Sequence, residues 1–398
     1  MTIDYDQFRQ DVRNFLDREY TPEKRALNMR QAGAHAEPAL GMWWHRTLNA
    51  RGWAAPAWPT EHGGPGWDAL QRHIFDSECA AADTPEVPLQ GTSLAGPAIM
   101  QFGCQAQRDY FLPGILSGDI YFCQGFSEPG SGSDLASLRS SAVRNGDCYA
   151  VSGTKIWTTH AQHANWIFLL ARTSKEGRPQ SGITFLIAPM DSPGITVKPI
   201  ISISGEHELN QIFFDDVRIP VSNRIGDEND GWAITKYLLE FERGGSYAAR
   251  ISGLLGRDQM TAREQPGDDG RSLWQDSSFR RRIADLEIAA IALAATEDNV
   301  ASSQAAGQNV GGVTAAILKI TGSELMQQAT ECCMDALGDY AFADQRQSLV
   351  LASDIPPIGP DFAAKPVAKY LNARAWSIAG GANEVLRNVI ARAAMNLK

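Results

Sequence analysis

The chain has 398 residues, 43% of them hydrophobic and 21% charged, the balance of a globular protein with room for two or three domains and a large core. Its formal net charge of -10 argues against electrostatic binding to nucleic acid or to an anionic membrane surface. No apolar run reaches the roughly 18 residues of a membrane span, and the opening MTIDYDQFRQDVRNFLDREY reads as a polar amphipathic helix rather than a signal sequence, so a cytoplasmic protein is expected.

Residues 1–120 alternate helical patterns (5–18, 43–50, 69–81 and 91–104) with Pro- and Gly-rich loops at 55–59 and 62–66, which predicts an all-α region. From 121 to about 220 the period switches to that of strands: 142–151, 166–171, 183–188, 195–199 and 211–218, separated by Gly, Pro and Asp turns. From 231 onward the helical period returns at 232–256, 278–304, 312–337 and 364–395. The α, β, α order is that of an α+β protein, not the alternation of a doubly wound sheet. The expected domains are 1–120, 121–230 and 231–398, the last a helical bundle. Cysteines at 79, 104, 123, 148, 332 and 333 have no framework spacing, and the adjacent 332–333 pair cannot be a CxxC site, so reduced buried thiols are expected.

The most informative stretch is 121–160, YFCQGFSEPGSGSDLASLRSSAVRNGDCYAVSGTKIWTTH. A short strand at 122–127 runs into a turn whose glycines let backbone N–H groups approach an anionic or carbonyl oxygen. After the Asn145-Gly146 hairpin turn, a strand leads through Gly153 to Trp157, Thr158 and Thr159, an indole face beside two hydroxyls. Each residue alone is equally at home in a surface hairpin with a core Trp; the spaced set is not. CQGFSEPGSGSDLAS followed by GTKIWTT resembles the flavin-binding signature of the acyl-CoA dehydrogenase family, and the likeness extends over nearly the whole chain, including 52–66 and 213–231. The resemblance implies FAD as cofactor, held by Gln124, Phe126, Ser127, Gly132, Ser133, Trp157 and Thr159. In it Ser127 and Thr159 reach the flavin pyrimidine and N5 edge, Trp157 packs on the ring, and Ser133 lies near a phosphate or the CoA. It also implies an acyl-CoA substrate, an electron-transfer flavoprotein as acceptor, and a tetramer.

Dehydrogenation between Cα and Cβ of a thioester needs a base for the α-proton. In one branch of the family that base is a C-terminal Glu, whose place here is taken by Gly380. A second branch puts it in a Glu-Arg pair on an earlier helix, matched by Glu242-Arg243. Read from the residues, Ile234, Leu238, Glu242, Gly245, Ser246 and Ala249 form one helical stripe on which Glu242 is the single charge. A carboxylate facing an apolar slot has its pKa raised toward the range useful for a base; the competing reading is a solvated Glu paired with Arg. By the same resemblance Arg243 lies near the CoA and Glu240 near its adenine end. The wording of 123–137 and of 205–210 is similar to the branch acting on bulky or dicarboxylic thioesters, such as pimeloyl or steroid side-chain esters.

Other signals are weaker. Gly130-Ser131-Gly132 lacks the third Gly and the following helix of a dinucleotide fingerprint. Residues 125–130 are one too long for a nucleophile elbow, and His160 with His163 lack further metal ligands at suitable spacing. Two alternatives stay open: an oxidase or monooxygenase on the same fold, and a non-catalytic subunit. Homotetrameric relatives lend each neighbour an Arg-x-x-Phe-Gly segment, a Gln with two Gly, and a Thr; here 264–270, 335–339 and Ala382 replace them with carboxylates, Pro and Ala. Carboxylates repel a pyrophosphate, so an α2β2 assembly with a related partner is expected.

Overall fold

The computed structural model describes residues 3–31, 33–86, 90–242, 246–265, 270–350 and 353–395, the side chains at 239–242, 361 and 395 excepted. The N-terminal part is helical: α1 (Tyr5–Glu19), α2 (Pro22–Asn28), α3 (Pro38–Ala50), α4 (Ala69–Ala81), α5 (Gly96–Phe102) and α6 (Gln105–Ser117). Their starts are set by local chemistry. Asp4 caps α1 by accepting from Gln7 N, Asp68 and Gln71 close a capping box on α4, and Pro opens α2 and α3. Phe15, Trp44, Trp53 and Phe75 fill the space between α1, α3 and α4.

The expected helix over 91–104 is divided. A π-helical turn, Gln90–Ala95, precedes α5, whose first turn contains Pro97, and Trp58 packs so closely on Gly96 that a Cβ there would lie 2.2 Å from its ring.

The middle of the chain is an eight-stranded sheet: β1 (Phe122–Gly125), β2 (Ser141–Asn145), β3 (Cys148–Thr159), β4 (Trp166–Arg172), β5 (Ile183–Pro189), β6 (Ile195–Ile200), β7 (Leu209–Pro220) and β8 (Arg224–Ile225). The spatial order is β6-β7-β3-β2-β4-β5-β8, with β1 on β4. Pairing is antiparallel except where β1 and β2 run parallel to β4. β4 and β5 are buried along nearly their whole length, as their unbroken apolar runs require. β2 and β3 form the hairpin predicted from Asn145-Gly146, with Gly146 at φ 65°.

The C-terminal part is α7 (Gly231–Glu242), α8 (Tyr247–Glu264), α9 (Ser277–Ala305), α10 (Gly311–Leu337), α11 (Ala364–Ala373) and α12 (Asn383–Met395). Two expected helices are each resolved into a pair. The 232–256 pattern becomes α7 and α8, and the 364–395 pattern is interrupted where Gly380 and Gly381 take positive φ. α8, α9 and α10 pack together around Ile251, Leu255, Ile283, Leu286, Leu325 and Met326. No helix among the described residues is long and apolar enough to cross a membrane.

Candidate active site

β1 and β2 share one edge of β4: β1 pairs with its first four residues, and β2 begins opposite Arg172. The chain between them, 126–140, therefore leaves the sheet, and something other than strand pairing must hold it. Glu128 does so. One of its carboxylate oxygens accepts from Arg139 N at 2.7 Å, the other from Ser140 N at 2.9 Å and from Lys155 Nζ at 2.8 Å. Lys155 is fully buried and also donates to Phe126 O at 3.2 Å. Burial draws the ammonium down to about 8 against the pull of Glu128. Burial likewise opposes ionisation of Glu128, but the Lys155 charge and the three hydrogen bonds hold its carboxyl below the ordinary range. Ile156 N donates to Ser127 O at 2.9 Å, completing the link between the loop and β3.

That link has a geometric consequence. β3 slips its register against β7 between Lys155 and Thr158, and at this bulge Trp157 adopts φ 61° and turns its indole outward, 57% exposed. An aromatic residue in the left-handed region is an outlier that its surroundings must enforce. His160, at φ 55°, bounds the same short segment. Thr159 between them is half-buried, and Thr158 Oγ1 is buried with no hydrogen-bond partner among the described residues. Ser127 and Gln124 are half-buried, whereas the Phe126 side chain is taken up by the core against Phe168 and Phe185. Gly132 and Ser133 are exposed. A Cβ at Gly130 or Gly132 would meet no protein atom within 4 Å, and neither has positive φ, so nothing within the chain demands glycine there. Glycines of this kind suit the close approach of a group from outside. The outward indole, the adjacent hydroxyls and the open glycine loop fit the flat ring and phosphates of a flavin dinucleotide.

Position 242, where the sequence predicts a base, is the last residue of α7. Ile234 and Leu238 of α7 are buried in the same core cluster as Leu94, Phe126 and Phe185, and position 242, one turn beyond Leu238, falls on the same helix face. The π-helical turn packs against both β1 and α7. It therefore packs between the flavin-side strand and α7. Of the other substrate-side residues expected from the sequence, Glu240 is placed on α7 by its backbone alone, and Arg243 lies outside the described residues. The break after α7 is anchored on its far side: Glu297 accepts from Tyr247 N at 2.9 Å, and Ser246 Oγ lies 3.2 Å from both Ser77 Oγ and His73 Nδ1.

Sequence reasoning passed over several residues here. Lys155 and Glu128 stood within the motif but had no assigned role. His160, read as an ordinary polar residue, is buried with Nδ1 2.5 Å from Tyr121 Oη, and burial pulls its imidazole down to about 4. It joins His35, whose ring lies 5.7 Å away, and Glu208, which accepts from His35 N at 2.6 Å and Ala34 N at 3.1 Å. Glu208 of the 205–210 segment thus ties the N-terminal part to the sheet, and burial with the Glu208 charge pushes Glu206 up to about 7. No group among the described residues has the ligands for a metal ion.

The segments expected to have lost a neighbour-serving role also become clearer. Arg263 stands immediately before Glu264 and keeps the Arg of the Arg-x-x-Phe-Gly pattern, which the reading of 264–270 left out. Its guanidinium lies over the Trp274 ring of the same chain at 4.7 Å. Asp335 is paired with Arg282, so its carboxylate is partly neutralised, and residues 266–269 lie outside the described residues.

Comparison with known proteins completes the description. The N-terminal, middle and C-terminal domain models of acyl-CoA dehydrogenase match residues 2–119, 123–217 and 229–395. The chain is 33% identical to acyl-CoA dehydrogenase IpdE1 and 32% identical to acyl-CoA dehydrogenase FadE26, both of Mycobacterium tuberculosis, over at least 99% of this chain and 98% of each relative. Among solved structures, the ChsE4-ChsE5 complex from Mycobacterium tuberculosis superimposes with TM-score 0.82 at 31% identity, covering 100% of both chains. The Tcur3481-Tcur3483 steroid acyl-CoA dehydrogenase does so with TM-score 0.84 at 28% identity, over 99% of this chain and 97% of that one. With all three domain models matched in order and the relatives aligned end to end, the chain belongs to the acyl-CoA dehydrogenase family of flavin-dependent oxidoreductases.

Proposed function

We propose that this chain oxidises an acyl-CoA thioester to the trans-2-enoyl-CoA, with Glu242 as the general base. The observation that carries the reading is the face of α7: Ile234 and Leu238 pack against the flavin-side core, and position 242 is the next turn of the same face. Gly380 leaves no carboxylate at the alternative C-terminal position. FAD, when bound, supplies the acceptor for the β-hydrogen. Ser127 and Thr159 orient the ring, Trp157 covers it, and Ser133 reaches the phosphate or CoA side. Glu242 removes the α-proton, which a thioester acidifies, while Arg243 and Glu240 lie toward the CoA.

The acyl group is a bulky, ring-bearing one, a reading supported by the resemblance at 205–210 and by a structural relative described as a steroid acyl-CoA dehydrogenase. The chain works as the catalytic half of an α2β2 assembly, with an electron-transfer flavoprotein as acceptor. Supporting this are a structural relative that is itself a complex of two differently named chains and the exposed apolar side chains Ile203, Ile291, Ile378 and Phe342. Glu242→Gln tests the chemistry. The amide keeps the shape and cannot accept the proton, so anaerobic flavin bleaching by substrate should slow about 10²–10⁴-fold or more while bound FAD is retained. Bleaching at the wild-type rate would remove Glu242 from the role.

A further inference from the structure

β3 ends in a turn that its sequence does not favour. His160, the residue after Thr159, takes φ 55°, a region in which Gly or Asn makes a turn with less strain. His163 N and Ala164 N close that turn on His160 O at 2.9 and 3.0 Å, bonds that need no imidazole. The ring makes further contacts of its own. It is buried, burial keeps it neutral, and the Tyr121 hydroxyl donates to its Nδ1 at 2.5 Å. With Nδ1 accepting, the ring proton sits on Nε2, 4.0 Å from Glu208 Oε1. Both contacts lead to the flavin-side strands. Tyr121 stands directly before β1, the strand that runs to Gln124 and on to Ser127, and its backbone N donates to Asn165 Oδ1 at 2.8 Å while its carbonyl accepts from Asn165 N at 3.1 Å. Glu208 O accepts from His160 N at 2.9 Å, and the next residue, Leu209, pairs with Thr159 across the sheet. The Glu208 carboxylate is fixed in turn by Ala34 N and His35 N and by the His35 ring, whose Nδ1 lies 3.0 Å away.

We propose that His160 is a positioning residue for the flavin: held by Tyr121 and Glu208, it sets the direction in which Thr159 presents its hydroxyl to the edge of the ring. The inference rests on the reading of Thr159 as a flavin contact. Thr159 lies between two left-handed residues, Trp157 at φ 61° and His160 at φ 55°. A threonine is stiff at χ1, so its hydroxyl follows the backbone that carries it, and a hydrogen bond weakens steeply once its angle is lost. Released from Tyr121, His160 has less to hold it in a disfavoured conformation, and Thr159 turns with it. The same bond joins two parts of the flavin site that are 39 residues apart in the chain, the strand leading to Ser127 and the end of β3.

The test uses the FAD-loaded holoenzyme and needs no substrate. The midpoint potential of the bound flavin is measured by photoreduction against an indicator dye in wild type, Thr159→Val, Tyr121→Phe and the double variant. Thr159→Val should change the two-electron reduction equilibrium about fivefold, the worth of one neutral hydrogen bond, which is about 20 mV. Tyr121→Phe keeps the ring and removes only its hydroxyl; it should move the potential in the same direction by about two- to fivefold. The double variant should match Thr159→Val alone, because both changes act through one hydroxyl. His160→Asn, which tolerates the left-handed turn and lacks the imidazole, should shift the potential as Tyr121→Phe does. A potential unmoved in Tyr121→Phe or His160→Asn, with only the urea midpoint or the FAD content lowered, would mark the bond as structural and overturn the inference. Additive shifts in the double variant would overturn it too, and either result leaves the flavin site standing. A potential unmoved in Thr159→Val, or a wild-type protein that takes up no FAD, would overturn that part of the site and the inference together.

Discussion

Two buried charges in this molecule are treated in opposite ways. In the β-domain Lys155 has no exposure at all, yet its ammonium meets a carboxylate and a carbonyl, and that carboxylate also takes two backbone N–H groups. In the helical bundle Asp258 of α8 is equally buried, and among the described residues it has no ion pair and no backbone N–H to accept from, only the weakly donating thiol of Cys333. Burial pushes Asp258 up to about 7, with the Cys333 thiol and Arg257 opposing the shift. The strongly paired charge fixes a loop beside the outward Trp157; the weakly compensated one costs stability when ionised. Burial by itself therefore says little about a polar group's role. What the group bonds to decides it.

The comparison is broken most severely at Lys155. Lys155→Met leaves Glu128 buried without its cation, which should cost about 3–5 kcal/mol and release the 126–140 loop. Urea midpoints and FAD content should fall together, and FAD retained at full occupancy in a destabilised variant would separate the loop from the cofactor site.

A smaller change of opposite sign is expected in the bundle. An acid whose folded pKa is raised binds more protons folded than unfolded, so stability falls as pH climbs from the ordinary 3.8 of an aspartate through about 7. Asp258→Asn removes that dependence and should gain about 1–3 kcal/mol at pH 8 relative to pH 5. Glu206 and Glu297 are raised to about 7 as well and contribute the same slope in both proteins, so the difference between wild type and variant isolates Asp258. Identical pH profiles of the urea midpoint would show that Asp258 is not the source of that slope.

The finest distinction lies within the strained segment. Trp157→Ala removes stacking area and should lower FAD occupancy. Thr159→Val removes one hydrogen bond worth about 1 kcal/mol and should slow flavin reduction more than it weakens binding. Occupancy measured by absorbance and single-turnover rates test both, and unchanged occupancy in Trp157→Ala would take that residue out of the site.

The α, β, α order, the hairpin at 141–159 and the glycine-and-Trp signature could be read from the chain because periodicity and turn chemistry are local properties. So could the divided helix at 91–104, had Pro97 been weighed as a helix start. The stripe through Ile234 and Leu238 to position 242 was also visible, since helical spacing alone puts those residues on one face. What lay beyond reach were the partners. Glu128 with Lys155, Glu208 with His35 and Glu86 with Arg250 are 27, 173 and 164 residues apart, and nothing in either member of a pair names the other. The weak compensation of Asp258 is equally silent in sequence, because it depends on which side chains the packed helices bring to one point. Local sequence determined the elements and the residues that could serve a flavin; the packing of distant segments decided which buried charges are strongly held and which only weakly compensated.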